Sequence, residues 1–165
     1  RHGLDVEGIF RLSGSAAKIQ QWRDVVDAGG TLSFVDGGEN IHDVCGLLKL
    51  YLRSLPAGVL TADLYAAFLA ASRCDDAGSR QHFFRACCLA LPEPNRMLAA
   101  FLLRFLVKVR AHADANKMHD ANVATIFGPI LLQGDTFDAV VADTGAINAA
   151  TLRLVAAVAA VEGGG

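Results

Sequence analysis

At 165 residues and 17.4 kDa, the chain is long enough for one domain whose core needs neither disulfides nor a structural metal. Hydrophobic residues at 53% and charged residues at 19% exclude an intrinsically disordered chain. Lys and Arg total 15 against 17 Asp and Glu, a net charge of -2, so no nucleic-acid partner is expected: a phosphate-gripping domain is usually far more basic.

Almost every segment reads as helix. Ser13 or Ser15 can cap a first helix with Ile19, Trp22, Val25 and Val26 on one face, stopped by Gly29 and Gly30. Thr31–Val35 alternates only briefly, a weak strand pattern between glycine pairs. A second helix runs from about Ile41 to Ser54, with the apolar stripe Ile41, Val44, Leu48, Leu52 and Leu55 near a 3.6 period; Pro56 and Gly58 end it. A third spans about Ala62 to Ala71, with Asp63 at its positive end, and a fourth covers about Ser79 to Leu91. Pro94 opens a long fifth helix expected to turn Leu98, Phe101, Leu102, Phe105 and Val109 inward. A sixth begins near His119 or Asp120 and meets Gly128-Pro129. The seventh starts at Thr144, taken as its cap, and runs to about Val161, leaving 163–165 as a flexible tail. Short loops joining amphipathic helices predict an all-α, single-domain bundle of seven or more helices over residues 1–162.

The mean hydropathy of +0.35 prompts a search for a membrane span. Met97–Val109 holds Arg104 and Lys108, and Leu152–Val161 is shorter than the ~20 residues a bilayer needs, so no transmembrane segment is expected. Arg1, His2 and Gly3 do not open a signal peptide. Cys45, Cys74, Cys87 and Cys88 show no C-x-x-C spacing and read as reduced, largely buried thiols of an intracellular protein.

The chain has no phosphate loop, no G-x-G-x-x-G fingerprint and no G-x-S-x-G elbow. His2, His42, His82, His112 and His119 lack zinc spacing, so no metal site is expected. An independent hydrolytic site has no nucleophile, base or metal constellation to rest on. The positive signal is local and basic. Arg11 lies between Gly8 and Gly14, flanked by Ile9, Phe10 and Leu12, which can anchor the backbone while the cation projects; spacing alone also allows an ordinary surface arginine ahead of a helix. Lys49 and Arg53, four apart, share one helix face, either a solvated flank or a seat for an anion, with Glu7 as an internal partner for one of them. Asn122 sits near a helix start, where asparagine caps or bonds local backbone; it could also hold an arginine loop or a partner's backbone.

These pieces, in this order, resemble the Rho GTPase-activating protein (RhoGAP) domain. The matching stretches are Gly3-Leu4 through Glu7-Gly8-Ile9-Phe10-Arg11-Leu12-Ser13-Gly14, then His42-Asp43-Val44 leading to Leu47–Pro56, then Leu91-Pro92 with Asn95, and Asn116-Lys117-Met118 to Asn122-Val123-Ala124 and Phe127–Leu131. Four ordered motifs cover nearly the whole chain.

The resemblance implies an all-helical domain that binds a GTP-loaded Rho-family small GTPase (Rho/Rac-like) and speeds hydrolysis. It is then not an enzyme with an active site of its own and needs no cofactor of its own, GTP and magnesium belonging to the partner. Arg11 falls on the family's catalytic arginine, and Lys49 and Arg53 fall on the basic pair that supports the finger loop and the GTPase contact. Asn122 falls on the asparagine that helps hold the finger and touches the partner. The alternative is a module of the same fold that docks GTPases without stimulating them. A cytoplasmic location is expected, with any membrane recruitment left to other parts of a longer protein. Three departures stand out. The family carries a helix ahead of the Gly-Leu, whereas this chain begins at Arg1, so that helix is expected to be missing. Ala57-Gly58-Val59 replaces the usual Glu-Pro-Leu, and Met118-His119 replaces Met-Thr, altering a helix cap.

Overall fold

The computed structural model describes residues 3–34, 38–134 and 136–162. The tail expected at 163–165, and the Val35 end of the weak alternation, lie outside the described residues. Thr31–Phe34 form no strand, and the described residues contain only helices, turns and irregular segments.

Helix α1 is Ala16–Asp27, with Ser15 as its N-cap accepting from the Lys18 N–H. Gly29 and Gly30 donate back to the Val26 and Val25 carbonyls and close it. Its expected face is only partly used. Trp22 is buried and stacks edge-on against Phe34, while Val25 and Val26 stay exposed. They remain exposed because α1 packs chiefly on a single neighbour, α2 (Ile41–Arg53), which covers only a narrow strip.

After α2, a 3-10 turn at Ala62–Leu64 leads into α3 (Tyr65–Arg73), so the expected third helix is divided. Asp76 caps α4 (Ala77–Ala90) by accepting from the Ser79 N–H. Pro92 precedes α5 (Glu93–Ala111), with Pro94 in its first turn, where the missing N–H costs nothing. The inward stripe of α5 is Ala99, Leu102, Leu103, Leu106 and Val109, which shares Leu102 and Val109 with the expected one but is rotated from it: Phe101 is 74% exposed, and Leu98 and Phe105 are half-buried. The helix is apolar on nearly every side from Leu98 to Val109, so apolarity alone does not fix its rotation; at 100° per residue, Phe101 lies opposite the Ala99–Leu106 stripe.

A single turn, α6 (Ala113–Asn116), follows and was not expected. Next is α7 (Asp120–Leu131), which runs through Pro129 rather than ending at Gly128-Pro129. Pro129 displaces the hydrogen bond to the Thr125 carbonyl, but both residues are on the exposed side, where water can take that carbonyl. The short α8 (Phe137–Ala142) was also unexpected. It leads into α9 (Thr144–Glu162). Thr144 does not act as a side-chain cap: its hydroxyl donates to the Val140 and Val141 carbonyls, folding α8 back onto α9.

The apolar run ending at Val161 thus reaches back to Thr144, and the window Thr144–Val161, with mean hydropathy 1.5, is long and apolar enough to cross a bilayer by length and composition. One side of it is core, however. Ile147, Ala150, Thr151, Leu154 and Val155 are buried where α9 packs on α7, α5 and α3. Around that wall Phe68, Leu106, Met118, Phe127 and Ile130 are fully enclosed. Cys45 and Cys87 are buried, Cys74 and Cys88 are half-buried, and all four are free thiols.

Candidate functional site

Residues 3–15 form a chain of tight turns rather than a helix. The Val6 N–H donates to the Gly3 carbonyl and the Ile9 N–H to that of Val6; the Arg11 and Leu12 N–H groups both donate to the Gly8 carbonyl at 2.9 and 2.8 Å. Gly8 makes the last turn with φ +72°, and a Cβ there would meet Leu12 Cγ at 2.5 Å, so a side chain is doubly excluded. Phe10 also has a positive φ, 64°, an outlying conformation for a bulky residue that costs about 1–3 kcal/mol. Packing over-determines it: the ring is buried edge-on between Phe105 and Phe127, with centroids 5.7 and 5.1 Å away.

The strain sits directly before Arg11, whose side chain is exposed and makes no hydrogen bond or ion pair among the described residues. A cation thus projects from a backbone whose immediate neighbours are locked. Three anchors do the locking. Lys49, from α2, donates Nζ to the Phe10 carbonyl at 2.5 Å. Burial, together with the nearby Arg53 charge, lowers the Lys49 pKa. Asp43, 7% exposed near the start of α2, accepts the Ser15 N–H on Oδ1 at 2.6 Å, on the far side of Arg11. Asn116 is the third and is fully buried. Its Nδ2 donates to the Leu4 and Val109 carbonyls, both at 2.8 Å, its Oδ1 accepts the Met118 N–H at 2.7 Å, and its own carbonyl accepts the Gly8 N–H. At the rim, His112 Nδ1 and Asp5 Oδ1 lie 2.7 Å apart.

Beneath the loop, Leu4, Ile9, Phe10, Ile41, Cys45 and Phe105 help line a cavity of about 210 Å³. Burial pushes the Cys45 thiol up from the ordinary 9.0 to about 11, outweighing the contact with Phe10 and the Lys49 charge.

Of the residues singled out by sequence, Lys49 touches the Arg11 segment directly. Arg53, one turn further along α2, is exposed and unbonded among the described residues. Asn122, half-buried on α7, donates Nδ2 to the Lys117 carbonyl at 2.7 Å, so it reaches the arginine segment only through the 116–118 turn that Asn116 fastens to Gly8. Glu7 is exposed and pairs with neither Lys49 nor Arg53 among the described residues, because Lys49 is taken by the Phe10 carbonyl. Asn116 and Asp43 were missed as organising residues. A signal for Asn116 existed, since an asparagine before Lys117, itself at φ 61°, marks a tight turn between helices; for Asp43 the only signal was its place in the matching stretch His42-Asp43-Val44, which does not point to Ser15. The replaced turn at Ala57–Val59 is held by Asn95, whose Nδ2 donates to the Gly58 and Val59 carbonyls. His119 begins α7 with no side-chain cap. No group of three metal-ligating side chains occurs among the described residues.

Comparison with known proteins bears on this arrangement. A family profile described as "RhoGAP domain" matches residues 1–136. Rho GTPase-activating protein gacJJ of Dictyostelium discoideum is 39% identical over 94% of this chain and 19% of its own length. Rho GTPase-activating protein 27 of Mus musculus is 36% identical over 83% of this chain and 16% of its own. The chain thus spans about a fifth of the length of the curated relatives it matches. Among solved structures, human Rho GTPase activating protein 15 superposes with a TM-score of 0.85 at 33% identity, over 93% of this chain and 74% of that one. The BH domain from GRAF, the GTPase regulator associated with focal adhesion kinase, gives 0.81 at 26% identity, over 93% and 82%.

Proposed function

The chain belongs to the RhoGAP domain family, and on that premise we propose that it binds a GTP-loaded Rho-family GTPase and accelerates hydrolysis by inserting Arg11 in trans. Domains of this family activate GTPases rather than carry an active site of their own. One observation carries the assignment of the finger: an exposed, unpaired guanidinium stands on a strained backbone fixed by buried groups on both sides.

The mechanism follows from charge. The partner supplies nucleotide, magnesium and the attacking water, and negative charge grows on the transferred phosphoryl and leaving oxygens. A guanidinium that is always protonated, planar and rich in donors stabilises that charge, and its work is largest if it arrives pre-positioned. In the Ras system a trans arginine raises kcat by about 10³–10⁵, equivalent to about 4–7 kcal/mol of barrier. Phe10, Lys49, Asp43 and Asn116 spare this chain the cost of ordering the loop during the reaction. Arg53 is placed to meet an acidic or carbonyl-rich partner surface, and Asn122 stiffens the 116–118 turn while leaving its Oδ1 for the partner.

Single-turnover GTP hydrolysis with a panel of Rho-type GTPases, with and without aluminium fluoride as a transition-state mimic, tests the reading. At least one member is expected to be accelerated by more than about a hundredfold. Complex formation with no acceleration of any member would leave a docking module instead.

A further inference from the structure

A second surface has no part in that reaction. Along the outer side of α9, two clefts against α4 and α5, of about 650 and 330 Å³, share one floor of Cys88, Leu154, Ala157 and Val161. The floor residues of α9 recur at i, i+3 and i+7, which spans about 10 Å along the helix axis. Ala156, Ala157 and Ala160 are exposed there, and with side chains this small an approaching backbone can come close. The rim has one sign. Arg80, Arg85 and Arg153 line the larger cleft, and among the described residues no Asp or Glu lines it, in a chain whose net charge is -2. Arg80 is steadied by the Cys74 and Asp75 carbonyls, and Arg153 by that of Ser72, so both guanidiniums are held in place with donors to spare. Asp76, the cap of α4, is the carboxylate felt by Arg80.

We propose that the α4–α5–α9 face is the docking groove for an acidic amphipathic helix of a partner protein. Its apolar side would fill the Leu154–Val161 floor, and its carboxylates would pair with Arg80, Arg85 and Arg153. Charge selects this occupant. A second copy of the chain would bring arginine against arginine. A flat lipid surface reaches Val161, 78% exposed, but not Leu154, 4% exposed at the bottom of the cleft. A recessed Leu154 followed at helical spacing by the accessible Ala157 and Val161, with a charged rim beside them, fits the pattern of helix-in-groove recognition. The other large apolar cleft, between α1 and α2, differs in this respect: its Arg23 and Asp27 pair with each other at 3.3 Å and leave no net sign to read.

The test is fluorescence anisotropy with a helix-stabilised peptide bearing leucines at i, i+4 and i+7 flanked by glutamates, and with its lysine-for-glutamate counterpart. Saturable binding of the acidic peptide is expected, weakened about tenfold or more by Ala157→Trp, which fills the floor, and by Arg85→Glu, which reverses the rim. Added salt should also weaken it. Urea midpoints of the two variants report whether the fold is kept; Arg85 is exposed, so its variant stands even if Ala157→Trp disturbs α9. The proposal is overturned if the acidic peptide does not bind, if both peptides bind alike, or if neither variant changes binding. Binding of phosphatidylserine vesicles without binding of the peptide, or self-association abolished by Ala157→Trp, would assign the face to a membrane or to a second copy instead.

Discussion

Lys49 Nζ donates to the carbonyl oxygen of Phe10, the residue immediately before Arg11, at 2.5 Å. The bond joins a helix to a loop 39 positions away, and it meets the backbone where φ is positive and the side chain is buried. A charge-assisted bond to a partly desolvated carbonyl is stronger than a neutral one, and here it holds a peptide plane whose orientation sets the direction in which Arg11 leaves the backbone. Asp43, two turns earlier on α2, holds Ser15 on the other side. One helix therefore grips the loop before and after the arginine.

With the loop fixed independently of the side chain it presents, Arg11→Ala should cut stimulated GTP hydrolysis by about 10²–10⁴ while leaving complex formation largely intact. Arg11→Lys should recover little, because an ammonium lacks the planar fork. Single-turnover rates at saturating domain, beside equilibrium affinity for the GTPase bound to a non-hydrolysable nucleotide, separate the two effects. An Arg11→Ala domain as active as the parent removes position 11 from the chemistry.

Lys49 and Arg53 should part company despite sharing a helix face. Lys49→Ala frees the Phe10 carbonyl, so the rate within the complex should fall about ten- to a hundredfold with a smaller change in affinity. Arg53→Ala removes an exposed charge, so affinity should weaken, more at low salt than at high, with the bound rate preserved. Rate and affinity titrations at two ionic strengths read both; the reverse pattern would assign Lys49 to partner contact and Arg53 to loop support.

The all-helical bundle was legible because caps and periodicity are local: Ser15 and Pro94 both mark helix starts within one turn of where they occur, whereas the Asp76 cap of α4 was not read and that helix was placed from about Ser79. Rotation was not legible in α5, where apolar residues surround the helix and Phe101 competes with Leu103 and Leu106 for the inward side. The single-turn α6 and the short α8 are held by their neighbours rather than by length or pattern. In the candidate site, the motif around Arg11 was readable, but its supports were not. Asn116 bonds Leu4 across 112 positions and Asp43 bonds Ser15 across 28, distances over which no local pattern speaks.

Asn116 should therefore be among the most sensitive positions for stability. Asn116→Ala leaves the Leu4 and Val109 carbonyls and the Met118 N–H without their buried partner, at a cost of about 3–4 kcal/mol. Asn116→Asp should be no better, since it sets an oxygen against two carbonyls that need a donor. Urea unfolding monitored at Trp22, the single tryptophan, measures the loss. An unchanged midpoint would mean that the 116–118 turn does not hold the amino-terminal segment.

Asp43→Ala should act more narrowly. It removes the acceptor for the Ser15 N–H and loosens the exit of the arginine loop, so stimulated hydrolysis should fall about tenfold while Asp43→Asn, which keeps an oxygen acceptor, recovers most of it. Gly14→Ala should mimic the loss from the other side, since a Cβ at Gly14 would stand 2.3 Å from Asp43 Oδ1. If Asp43→Asn is as impaired as Asp43→Ala, the charge rather than the hydrogen bond is what the loop requires.

Cys45, under the same loop, supplies a pH signature. Its thiol has a folded pKa of about 11 against an ordinary 9.0, because burial opposes the thiolate. Between those values the unfolded chain has released a proton that the folded chain still holds, so stability falls as pH rises. The contribution is fully present below pH 9 and is lost by about pH 11, to a total of at most about 2–3 kcal/mol. Lys49 works in the opposite direction: its folded pKa is lowered, so raising the pH through that folded value relieves the cost of enclosing its charge. Cys45→Ala removes the thiol and should flatten the alkaline decline relative to the parent, although its midpoint at pH 7 is lower for the lost packing. Urea midpoints of both proteins at intervals from pH 7 to 11 test this, and parallel curves would show that the Cys45 thiol ionises as freely in the folded chain as in the unfolded one.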